Sequence, residues 1–232
     1  MSGSLAYVIG YSGMALELAF VVCSVKRKSF LHYFFLNLYF LLAIAFGVVR
    51  HLSLAKFGLD SDQYRYAYFY TDALLTLALY MALISLYARV FGELRFNRYL
   101  RLTAVLLLLG TALFSYAVVA QSSDRLSTTT FAWELSQNLY FVGLVLTYVL
   151  WGAVLKLRET RTRVVQFVLS LGLYFSAYAA SFALGNLVSR DSVLVFVAPA
   201  LGCFLPLSWT ITMWRHTDET RLVPAQLVAV PR

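Results

Sequence analysis

Glu17, Asp72 and Glu134 stand out in this 232-residue chain because each lies inside a long apolar run. An ionisable side chain in such a run is costly in a membrane, and it usually faces a bundle interior or a water-filled hollow. Two chemistries suit it there: gripping a polar ligand, or carrying a proton. Arg50 closes the second apolar run, Asn186 closes the sixth, and Asn138 follows Glu134 by four residues. On the fifth run Glu134, Gln137, Asn138 and Phe141 keep the i, i+3, i+4, i+7 spacing of one helical face. On the third, Asp72, Thr76 and Tyr80 form a similar stripe, and on the sixth Ser170, Tyr174, Tyr178 and Ser181 do the same. These stripes mark sides turned toward the bundle. They read either as interhelical hydrogen bonds worth about 1 kcal/mol each, or as an outward-open polar pocket of Asp72, Glu134, Asn138 and Arg50. Glu17 sits near the middle of the first run and needs a donor from a neighbouring helix. Asn37 and Tyr178 are the expected donors by depth, because the basic residues all stand close to run ends.

Other chemistries drop out on residue type. A covalent retinal pigment needs a lysine in the middle of the last helix, yet Lys26, Lys28, Lys56 and Lys156 all lie at or beyond run ends. Bundle-held haem needs facing histidines, whereas His32, His51 and His216 sit near run ends, on different sides of the membrane. Zinc or serine hydrolase sites cannot be assembled from these three. Cys23 and Cys203 lie in apolar runs outside any CxxC or Cys/His spacing. The expectation is a non-enzymatic protein with no cofactor and no metal.

The elements that position the polar residues follow from composition. Hydrophobic residues make up 61% of the chain and charged residues 13%, about half the charge of a soluble domain. A soluble protein of this size has too little interior to hide that much apolar surface. Runs long enough to cross a hydrocarbon core of about 30 Å fall at Leu5–Val25, His32–Arg50, Ala67–Phe91, Tyr99–Ala120, Phe131–Leu155, Val164–Val188 and Val193–Trp214. The spacing predicts an all-α polytopic bundle of about seven transmembrane helices over 1–214, with a short, mobile cytosolic tail over 215–232. Only the break from His51 to Tyr66 is long enough for a structured loop. Pro199 and Pro206, flanking Gly202 and Cys203, predict a kinked or broken seventh helix.

Charge gives the direction. Of the 19 Lys and Arg residues, 14 fall on one side of the predicted spans and five on the other. Basic residues favour the cytosol, so the N-terminus is expected outside and the C-terminus in the cytosol. The net charge of +8 sits in short clusters between apolar runs. That pattern fits topology signals and anionic lipid, not nucleic acid.

Seven helices can arise as three plus one plus three, two parallel triplets joined by a linker. Phe34-Phe35-Leu36-Asn37-Leu38 in the second run echoes Phe167-Val168-Leu169-Ser170-Leu171 in the sixth. Four further features, Gly13-x-x-Leu16-Glu17, Tyr70-Thr71-Asp72, Glu134 with Asn138, and the Pro206 to Trp214 stretch, resemble a group of uncharacterised seven-helix proteins common in acidobacteria-type genomes. The resemblance implies a bacterial inner membrane and carries no activity. The expected function is a sensory, binding or assembly component for a small ligand, lipid or membrane-protein partner, with a homo-oligomer also open. The alternative is a small-solute or proton-coupled transporter, with Glu17 or Asp72 as the titrating group.

Overall fold

The computed structural model describes residues 3–58, 61–91, 106–107, 109–117, 120, 128–156, 162–185 and 194–216. Seven helices and no strand occur among them. They are α1 (Gly3–Lys26), α2 (Phe34–Phe57), α3 (Asp62–Val90), α4 (described at 106–107, 109–117 and 120), α5 (Thr128–Lys156), α6 (Thr162–Gly185) and α7 (Leu194–Arg215). Five of these helices are long and apolar enough to cross a membrane. Large apolar side chains such as Leu18, Val22, Leu74, Val145, Val149 and Leu173 are exposed around the outside. Outward apolar surface on this scale needs a lipid solvent. This is a membrane protein.

One expectation about element ends is corrected. The break from His51 to Tyr66 is not a loop: α2 continues to Phe57 and α3 begins at Asp62. Polar residues there stand within the helices and do not end them. Gly58 ends α2 with φ +79°, a left-handed conformation that glycine adopts without Cβ strain. Ser61 starts α3 by accepting a hydrogen bond from the Tyr64 amide at 3.2 Å. Of the kinked or broken seventh helix expected at Pro199 and Pro206, the break does not occur: α7 is continuous from Leu194 to Arg215.

Packing runs in a closed order. The helix α1 packs on α2, α2 on α3, α3 on α5, α5 on α6, α6 on α7, and α7 back on α1. The ring closes without α4, which meets α5 where Asn138 Nδ2 donates to Ser115 Oγ at 2.9 Å. Small residues allow the closest approaches, as expected between membrane helices. A Cβ on Gly172 would lie 2.3 Å from Trp151 Cζ2, and one on Gly143 would lie 2.5 Å from Phe175 Cε1. Trp151 is pinned there by its own bond from Nε1 to Val168 O at 3.0 Å.

The two ends of the ring differ. Toward the end holding Ser29 and Arg163, the core is aromatic: Phe20, Phe40, Phe167 and Trp209 bring α1, α2, α6 and α7 together and are essentially inaccessible. Phe20 and Phe40 have ring centroids 4.7 Å apart, and Phe40 and Trp209 5.4 Å apart. Trp209 Nε1 donates to Ser170 Oγ at 2.7 Å, so its one polar atom is satisfied. Beneath this layer, Arg163 donates from Nε and Nη2 to His216 O and from Nη1 to Ser29 Oγ. Arg27 likewise donates to Trp214 O. Two guanidinium groups thereby answer the carbonyls at the C-terminal end of α7, where cations are favoured.

Candidate functional site

At the opposite end stands Arg50. Because α2 continues to Phe57, Arg50 lies about two turns inside the helix, and its long side chain reaches α3. Its Nε donates to Thr71 Oγ1 at 2.7 Å, and one terminal nitrogen donates to Tyr68 O at 3.3 Å. The same nitrogen lies 3.4 Å from Asp72 Oδ1, forming an ion pair in which both side chains are largely covered. The guanidinium carbon also lies 4.4 Å from the Tyr68 ring centroid. Thr71 in turn donates to Ala67 O or Tyr68 O, so the arginine is held from several sides.

Below the pair comes a layer of tyrosines from three helices. Tyr140 of α5 and Tyr178 of α6 stack at 4.7 Å with 5° between their planes. Tyr174 lies 4.7 Å from Tyr178 and exchanges a hydrogen bond with Tyr39 of α2. Tyr140 meets the Thr76 hydroxyl, while Thr76 donates to Asp72 O at 2.9 Å. The buried Ser136 hydroxyl of α5 faces the Asp72 carboxylate. Glu17 of α1 lies within electrostatic reach of both Tyr39 and Arg50, and its Oε2 is buried without a hydrogen-bond partner. Tyr39, Asp72 and Tyr178 are half-buried in this cluster.

The structure thus brings Arg50 and Asp72 together and sets Glu17 nearby. It does not bring Glu134 and Asn138 to them. Asn138 donates to α4, and Glu134 lies on that same side of α5, with no bond to Arg50 or Asp72. Asn186 lies outside the described residues. The expected partners of Glu17 also change. Asn37 Nδ2 is within hydrogen-bonding distance of Ser24 Oγ, Phe30 O and Tyr33 O, so it braces the α1–α2 turn instead. The charge nearest Glu17 comes from Arg50, which is not at a helix end after all.

The stripe of α5 that meets this cluster is not the one carrying Glu134 and Asn138. The face that meets α3 and α6 carries Ser136, Tyr140, Gly143 and Thr147, which repeat the i, i+4, i+7 spacing two residues further along. Its small and hydroxyl residues were a legible signal of close packing, outweighed by the charge of Glu134. On α3 and α6 the chosen stripes do turn inward: Thr76, Tyr80, Ser170 and Tyr174 are buried.

No protein-family model, curated protein or solved structure matches this chain. The geometry of the ring is therefore what a functional reading must rest on.

Proposed function

We propose that the chain is a seven-span protein of the bacterial inner membrane that receives a small polar ligand in a hollow open to the outside, acting as a sensory, binding or assembly component and not as an enzyme. The observation carrying this reading is the polar cluster of Arg50, Asp72, Tyr39 and Tyr178 inside the ring, half-buried and beside a Glu17 Oε2 without a partner. A purely structural hydrogen-bond network closes over its polar groups; these keep surface to spare and leave Glu17 Oε2 without a partner. The aromatic layer of Phe20, Phe40, Phe167 and Trp209 seals the other end, which suits one-sided access.

The excess of Lys and Arg at the Arg163 end puts that end in the cytosol. The N-terminus then lies outside, and 215–232 forms a cytosolic tail. Exchanging α1–α3 with α5–α7 maps the packing order of the ring onto itself, which supports two parallel triplets joined by α4. Membrane lipids cover the ring, and a signalling role runs through a separate partner protein.

One observation favours a transporter as the second reading. Glu17 lies one turn from Phe20, so a titratable group stands between the hollow and the seal. Cysteine labelling tests the main proposal. Gln63→Cys and Tyr178→Cys, made without the native cysteines, should react with an impermeant thiol reagent in intact cells, whereas Lys28→Cys should react only after permeabilisation. The opposite pattern overturns the orientation, and an unreactive Tyr178→Cys overturns the hollow. Uptake of a bound solute by proteoliposomes would favour the transporter.

A further inference from the structure

We infer that the seam where α1 and α7 close the ring holds an anionic phospholipid at its basic end, with the phosphate among Lys26, Arg27, Lys28 and Arg215 and an acyl chain along the seam. The inference is independent of the hollow at the Arg50 end.

Charge comes first. Arg27 ties the two helix ends together: it donates to Trp214 O, and its guanidinium carbon lies 5.8 Å from the Trp214 ring centroid. Lys26 and Lys28 flank it, Arg215 follows Trp214, and all four basic residues are exposed. The carboxylates among the described residues, Glu17, Asp62, Asp72 and Glu134, stand elsewhere. Four like charges gathered away from those acids repel one another, and a phosphate group relieves the repulsion.

The backbone adds to this. A paired turn ends α1, in which Ser29 N donates to Ser24 O and Lys28 N donates to Val25 O, both at 2.9 Å. Lys28 fills its left-handed position at φ 54°, where glycine would sit without strain. The chain thus accepts strain and sets an ammonium group beside Arg27.

The apolar part comes last. Ser12 meets Cys203 and Arg27 meets Trp214, 191 and 187 positions apart, so α1 and α7 lie side by side and parallel. Leu18, Val22 and Val25 keep the i, i+4, i+7 spacing of one face of α1, and Leu207, Ile211 and Trp214 repeat it on α7. All six are exposed. Paired in that order, their separations fall between 187 and 191, so the two stripes descend at matching depth. Each runs about 10 Å at 1.5 Å per residue and ends at the cations. An apolar strip beneath a cluster of cations matches the two-part chemistry of an anionic phospholipid. In the turn beyond α1, Leu31 is 82% exposed. Apolar surface that open belongs at the acyl boundary, which sets the neighbouring cations at headgroup depth.

The test uses the full chain in detergent, read by native mass spectrometry and thermal unfolding. The probes are phosphatidylglycerol, phosphatidylcholine with the same chains, and glycerol phosphate as the chainless anion. Phosphatidylglycerol should stay bound and raise the melting temperature, and the other two should do neither. Lys28→Gly keeps the left-handed turn, so combined with Lys26→Gln it should fold as well as the parent and bind the lipid at least about tenfold more weakly. Lys26→Gln alone, which leaves the turn untouched, should weaken binding about fivefold. Lys56→Gln, at the far end, should bind like the parent. Equal retention of the two lipids overturns the inference, as does parent-like affinity in the double variant. Glycerol phosphate stabilising as well as the lipid would make this a free-anion site and overturn the lipid. Val22→Cys, made without the native cysteines, should form no disulfide between copies in the membrane. Efficient crosslinking there would mean that a second copy covers the seam, and it overturns the lipid too.

Discussion

The two ends of the ring solve the same packing problem with opposite materials. At the Arg163 end, Phe20, Phe40, Phe167 and Trp209 fill the space between four helices and leave no accessible surface. At the Arg50 end, an ion pair, hydroxyls and tyrosines occupy the interior, and part of their surface stays open. Aromatic rings in van der Waals contact keep water out. A charged pair needs company, and in a membrane that company is either other polar groups or water. The same ring is therefore packed at one end by dispersion and held at the other by electrostatics.

The most direct way to break this comparison is accessibility. With the native cysteines replaced, Tyr178→Cys should label within minutes in intact cells, and Phe40→Cys should stay unlabelled in folded protein. Labelling of both at similar rates would mean that the aromatic layer is no seal.

Stability separates the ends next. Arg50→Met strands the Asp72 carboxylate and should destabilise the protein by on the order of 3 kcal/mol. Thermal unfolding in detergent measures this, and Arg50→Met with Asp72→Leu should recover most of the loss. If the double variant is no more stable than Arg50→Met, the pair is not what holds α2 to α3. At the sealed end, Gly172→Ala should cost about 2 kcal/mol by overpacking, because the new Cβ meets a Trp151 ring that is fixed by its bond to Val168 O. Gly152→Ala has open space at its Cβ and serves as the neutral control.

The smallest effect sharpens the comparison. Trp209→Phe removes the bond to Ser170 Oγ while keeping an aromatic ring in the seal. It should cost about 1 kcal/mol and leave ligand access from outside unchanged. A large change in access would show that the two ends are coupled.

Much of this architecture was legible from residue order. The stretches of about twenty apolar residues located each of α1, α2, α3, α5, α6 and α7 within a few positions, because hydrocarbon thickness fixes helix length. The boundaries at 51–57 and 62–66 were not legible, because the polar residues there are accommodated within helix and do not end it. Asp72, Arg50 and Glu17 could be singled out because a charge within an apolar run is conspicuous. Their partners were harder. Tyr39 and Tyr140 are as ordinary in a membrane helix as leucine, and only the rotation of α2 and α5 turns them inward. Arg163 looked like one more cytosolic charge, yet it is buried. Its position at the start of α6 says nothing about the end of α7, because that contact joins residues 53 positions apart.

Closure of the ring has a consequence for how the protein is made. Ser12 of α1 lies beside Cys203 of α7, 191 positions later. At a synthesis rate of about 5–20 residues per second, the first helix waits roughly ten to forty seconds for its last neighbour. During that time the growing chain is an open arc, with Ser12 and Gly13 turned to the gap that Cys203 fills. A chain stalled before α7 would carry that unfinished edge in the bilayer, recognisable to the cell's quality control as packing surface with no neighbour.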